Sequence, residues 1–178
     1  MRAPSAPEQI HIAYTSAGGA ALSVDFVGGS AAGAVRWGAS PSALTLGANS
    51  TSFAYATIGY LHQATMDFSG VVGAGATGYY AVEVAGVASA TFAVVPQVAG
   101  VERFVVFGDF GLANDVSMAA LVSDAADGAF DSVLHVGDWA YNFEQDTGCG
   151  AVSCVGNTFM SKVQGYAATK PTMPVAGK

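Results

Sequence analysis

Charge is scarce in this chain. Only 11% of its 178 residues are Asp, Glu, Lys or Arg, and the six Lys and Arg face 13 acids, for a net charge of −7. The basic residues are scattered and form no stripe, which excludes a nucleic-acid-binding surface. Cysteine is scarcer: Cys149 and Cys154 are the only two. A disulfide-framework fold is thereby excluded, and a zinc site has no nearby His to complete it. The pair could close a small surface disulfide in an oxidising compartment or remain as two thiols. Long apolar runs are missing too. The low-charge stretch from Phe68 to Val101 is broken by Gly73, Gly75, Gly78 and Gly86, carries Glu83 and alternates like a strand, so no transmembrane span is expected. Met1 is followed by "RAPSAPEQ", with no apolar core of a signal peptide.

What remains is apolar and glycine-rich: 52% hydrophobic, with 23 Gly, long enough for one good core or two small ones. Residues 7 to about 95 read as short strands between Gly, Ser and Asn turns: "QIHIAYT", "AVRWGAS", "SFAYATI", "GYLHQATMDF", "GYYAVEVAG" and "ASATFAVV". That spacing points to an all-β sandwich. Trp37 is expected in its core, and His11 and His62 in structural or surface roles. "GVVGAGATGYYAVEV" resembles the tyrosine corner of fibronectin type III domains, in which the hydroxyl of Tyr79 or Tyr80 would bond backbone across the corner.

"PQVAGVE", residues 96 to 102, marks a change of pattern and divides the chain into segments 1–98 and 99–178. Nine of the 13 acids lie from Glu102 to Asp146. Phe104 to Phe107 reads as a buried-type strand. "NDVSMAALVSDAAD" reads as a helix capped by Asn114 or Asp115, with Val116, Ala119, Ala120 and Leu121 at helical spacing. "DSVLHVGD" is a second strand, "GNTFMSKVQGYAATK" a second helix, and "TMPVAG" opens a third strand. Strand, helix, strand, helix, strand is an α/β unit with parallel strands.

Two of those strands end alike, in Gly108-Asp109 and Gly137-Asp138. In open α/β sheets ligands sit beyond the carboxyl ends of the strands, so both carboxylates should enter one crevice. Two carboxylates at close quarters repel, and a hard cation such as Fe³⁺, Mn²⁺ or Mg²⁺ would resolve the conflict. Tyr141 would face away on a straight strand. If the chain turns after Asp138, its phenol returns to the same place, and phenolate is a ligand for ferric iron in particular. His135 faces the opposite side of the strand, where a core role is expected. Glu144 and Asp146 read as solvated loop acids.

At these residues the chain resembles the purple acid phosphatases of the calcineurin-like metallophosphoesterase family. Asp109 and Gly111 match that family's Asp-x-Gly motif, and Gly137, Asp138 and Tyr141 match its Gly-Asp-x-x-Tyr motif. The resemblance implies that Asp109 binds Fe³⁺, that Asp138 bridges to a second divalent metal (Zn, Mn or Fe), and that Tyr141 binds the iron as phenolate. It also implies a fibronectin type III-like N-terminal domain over 1–98 and a partial metallophosphoesterase domain over 99–178. The activity implied is hydrolysis of phosphate monoesters, with a possible homodimer and a secreted, extracellular location. The family's third motif, Gly-Asn-His-Asp/Glu, is not reached: "PTMPVAG" leads to Gly177 and Lys178. The chain is therefore expected to correspond to the N-terminal portion of a longer enzyme and to be inactive alone, its catalytic groups lying further on. The other reading is a non-catalytic interaction module or an inert truncated product. "GDFG", residues 108 to 111, contains the Asp-Phe-Gly of protein kinases, but neither a glycine-rich nucleotide loop nor a His-Arg-Asp accompanies it.

Overall fold

The computed structural model describes residues 5–15, 20–55, 59–141 and 154–175. Cys149, Glu144, Asp146 and Gly177 lie outside the described residues, as does the side chain of Cys154.

The first part is built from β1 (Glu8–Tyr14), β2 (Ala21–Gly28), β3 (Gly33–Gly38), β4 (Leu46–Asn49), β5 (Thr51–Tyr55), β6 (Gly59–Asp67), β7 (Gly78–Val84), β8 (Val87–Ala88) and β9 (Phe92–Val94). One antiparallel sheet runs β1-β2-β6-β5; the other runs β4-β3-β7-β8, with β9 also on β7. Alternation along the strands decides which faces meet. Ile12, Leu22, Val24 and Met66 from the first sheet bury against Val35, Trp37, Tyr80 and Val82 from the second. This is a β-sandwich. Trp37 is in the core, and its indole N–H donates to the Asp67 carbonyl at 2.9 Å. His62 is buried as well: its ring stacks on Phe26, Nδ1 meets Ser50 Oγ at 2.8 Å, and Nε2 meets the Ser30 carbonyl at 2.9 Å.

The second part follows as β10 (Phe104–Phe107), β11 (Phe110–Gly111), α1 (Met118–Ala126), β12 (Ser132–His135), β13 (Trp139–Ala140), α2 (Cys154–Ala167) and β14 (Thr172–Pro174). Strands β10, β12 and β14 form a parallel sheet in that order, with Val105, Val133 and Thr172 in register. Its inner face carries Val105, Phe107, Val133 and His135, covered by Met118, Leu121 and Ala125 of α1 and Phe159, Val163 and Tyr166 of α2.

Three expectations need correction. The Phe104–Phe107 strand is not buried on both faces. Phe104 and Val106 are 47% and 56% exposed, because both helices cover one side of the sheet only. The first helix does not begin at Asn114 or Asp115. It begins at Met118, its cap position Ser117 makes no side-chain cap bond, and Val116, Ala119 and Ala120 are exposed rather than core. Asn114 and Asp115 are engaged elsewhere, as described below. Finally, the Tyr80 hydroxyl does not close a corner within the sandwich. It donates to the main-chain carbonyl of Ala168, just beyond α2, at 2.7 Å.

That bond belongs to a seam between the two parts. Gln9 Nε2 donates to Asn157 Oδ1 at 3.2 Å, and the Ile10 amide donates to Gln164 Oε1 at 3.0 Å. Glu102 accepts from Tyr14 at 2.5 Å and from Ser132 at 2.6 Å. Burial and the adjacent Glu102 carboxylate push the Tyr14 phenol far above its ordinary pKa, so it stays a donor at all ordinary pH.

Candidate metal centre at the strand ends

After β10 and β12 the two segments leave the parallel sheet together. The Asp109 amide donates to the Gly137 carbonyl at 3.1 Å and the Phe110 amide to the Asp138 carbonyl at 3.0 Å. β11 then pairs with β13 in parallel, Phe110 beside Trp139 and Gly111 beside Ala140. The two Gly-Asp strand ends are thus locked side by side by main-chain bonds.

The backbone there is unusual. Asp109, Asp138, Ala140 and Tyr141 have φ of 57°, 53°, 65° and 48°. Left-handed backbone costs an L residue about 1–2 kcal/mol. Such positions persist only where their surroundings over-determine them, and they gather at functional sites. The chain turns after Asp138, and the turn brings Tyr141 back to the Asp109 segment. Its hydroxyl donates to Asp109 Oδ1, joining residues 32 positions apart.

Two glycines permit this approach. A Cβ on Gly108 would lie 3.0 Å from the Gly137 carbonyl oxygen. One on Gly111 would lie 2.9 Å from the Ala140 oxygen and 3.1 Å from Cδ2 of Tyr141. The glycine of the Asp-x-Gly motif therefore makes room for the tyrosine of the other motif. Asn114, read from sequence as a helix cap, instead bonds to Asp109 and Gly111, and Asp115 takes an ion pair from Lys162 of α2. The available signal for Asn114 was an amide side chain five residues past Asp109, in a turn.

His135 stands apart from this ledge. It is buried, between Phe107 at 5.1 Å and Trp139 at 4.4 Å, and neither ring nitrogen has a hydrogen-bond partner among the described residues. Burial holds its pKa below the ordinary imidazole value, against an opposing pull from Asp138. A cavity of about 410 Å³ between the first sheet and α2 is lined by His11, Asp25, Phe53 and Trp139, and by none of Asp109, Asp138 and Tyr141.

Carboxylate and phenol oxygens are hard donors, suited to a hard cation such as ferric iron. The convergence of Asp109 and Tyr141 fits such an ion. The donor set is partial, since no cluster of three His, Cys, Asp or Glu suited to a metal occurs among the described residues.

Comparison with curated proteins bears out a resemblance to the purple acid phosphatases. The chain is 43% identical over 75 residues to acid phosphatase type 7 of Mus musculus, 41% identical over 75 residues to that of Homo sapiens and 36% identical over 74 residues to that of Danio rerio. Each match spans 42% of this chain and 16% of the relative. No family model matches the chain. No helix among the described residues is long and apolar enough to cross a membrane.

Proposed function

We propose that this chain forms part of a phosphomonoesterase with a dinuclear metal centre, in which residues 1–98 are a fibronectin type III-like domain and 99–178 begin the metallophosphoesterase domain. Asp109 and Tyr141 would hold Fe³⁺, and Asp138 would be shared with a second divalent metal, Zn, Mn or Fe. When bound, such a centre supplies a nucleophile from water at accessible pH and a clamp for the phosphate oxygens. The observation that carries the reading is the Tyr141 hydroxyl on the Asp109 carboxylate, at the end of two parallel strands.

This chain's own residues orient that site. The paired β11 and β13 fix the spacing of the two Asp backbones. The turn through Ala140 and Tyr141 aims the phenol. Asp109, Asp138 and Tyr141 are fewer donors than the roughly six an octahedral cation takes, so such an ion would need further ligands. The chain alone is therefore expected to bind metal weakly and to show no turnover of a phosphate monoester.

Equilibrium dialysis of the purified chain against Fe³⁺, with metal content read by mass spectrometry, tests this. Uptake should disappear in Asp109→Ala. Equal uptake by both proteins would contradict the assignment.

A further inference from the structure

Asn114 occupies the turn between β11 and α1, and its side chain is spent on the segment that carries Asp109. Nδ2 donates to the Asp109 carbonyl at 2.5 Å and to Asp109 Oδ1 at 3.3 Å. Oδ1 accepts from the Gly111 amide at 2.8 Å, and the Asn114 amide donates to the Gly111 carbonyl at 3.1 Å. None of this serves α1, which starts four residues later without a side-chain cap.

These bonds divide into two kinds. The pair with Gly111 closes a local turn, as Asn side chains commonly do. The bonds from Nδ2 reach back to a residue with φ of 57° and to its carboxylate. Turn closure needs neither. Asp109 Oδ1 thus receives two donors, Nδ2 of Asn114 and the Tyr141 phenol. Two donors converging on one oxygen fix the carboxylate's rotation. The turn itself is braced, because Asp115 is paired with Lys162 of α2.

We infer that Asn114 is a positioning residue, whose carboxamide holds Asp109 in its left-handed conformation and turns the carboxylate toward Tyr141. Its relevance to a metal rests on the reading of Asp109 and Tyr141 as ligands. Groups that orient ligands in this way are commonly worth about 10–100-fold in metal affinity.

Asn114→Asp separates the two kinds of bond. It keeps an acceptor for the Gly111 amide and replaces the donor to Asp109 with a repelling oxygen. Asn114→Ala removes both, and circular dichroism shows which variant is folded. Two readouts apply to each. In metal-free chain carrying ¹³Cζ-labelled tyrosine, the Tyr141 signal, identified by its absence in Tyr141→Phe, should move toward that of a free phenol. Fe³⁺ affinity should fall about 10–100-fold. A Tyr141 signal unchanged in the folded variant would overturn the inference, whatever the affinity does. A shifted Tyr141 signal in a chain whose wild type takes up no iron would uphold the positioning of Asp109 and contradict the metal reading instead.

Discussion

Tyr80 in the sandwich and Ala168 beyond α2 are 88 positions apart, yet the phenol of one donates to the main-chain carbonyl of the other in a fully buried contact. Tyr166, two residues before Ala168, is buried too, and its hydroxyl has no partner among the described residues. Burial drives both phenols well above the ordinary tyrosine pKa, so both stay neutral.

The two hydroxyls should therefore respond oppositely to removal. Tyr80→Phe leaves a buried carbonyl without its donor and is expected to cost about 1–3 kcal/mol. Tyr166→Phe removes a buried polar group without a partner and should be neutral or stabilising. Urea unfolding of the two variants beside the parent measures both. A destabilised Tyr166→Phe would mean that its hydroxyl is bonded.

Acid should weaken the sandwich through His62. Burial lowers its pKa, and the bond to the Ser30 carbonyl opposes that only in part. As pH falls below the ordinary imidazole value of about 6.5, the unfolded chain takes up a proton that the folded chain refuses. The stability contributed by neutral His62 is thus complete above that pH and is lost on acidification. Urea midpoints should drop between about pH 7.5 and about pH 5, and the drop should shrink in His62→Gln. An unchanged pH dependence in the variant would assign the effect to other groups.

Gly111 and Gly73 make a matched comparison. A methyl group on Gly111 meets Ala140 and Tyr141, whereas one on Gly73 meets nothing within 4 Å. Gly111→Ala is expected to cost about 1–3 kcal/mol by overpacking, and Gly73→Ala to stay within about 0.5 kcal/mol of the parent. Thermal and urea unfolding check both. Tolerance at Gly111 would show that the two strand-end loops are not held as closely as the structure has them.

Much of this architecture is legible in the sequence because local patterns carry it. Alternation in "QIHIAYT" and "GYYAVEVAG" marks half-buried strands, and β1 and β7 form there. The apolar runs ending in Gly-Asp mark the parallel strand ends, but the spacing of Tyr141 after Asp138 leaves open whether its phenol faces away or returns, and only the turn decides that. What stayed hidden depends on distant partners. "FVVF" looks the same whether one face of the strand is covered or two, and only the placement of α1 and α2 leaves Phe104 and Val106 exposed. Asn114 has the chemistry of a helix cap, and its use on Asp109 depends on how the Asp109–Gly111 segment folds. Tyr80 carries a donor, but nothing near it in sequence points to Ala168. The positive φ at both aspartates is likewise set by the paired loops, not by residue preference.

The central claim is that Asp109, Asp138 and Tyr141 form a ferric site in which Tyr141 serves as phenolate. The visible spectrum of the Fe³⁺-loaded chain tests it most directly. A charge-transfer band should develop as iron is added, vanish in Tyr141→Phe and survive in Tyr55→Phe, a residue 47% exposed on β5, outside the strand-end loops. A band that persists in Tyr141→Phe, or iron bound by the parent chain with no band at all, would contradict the account.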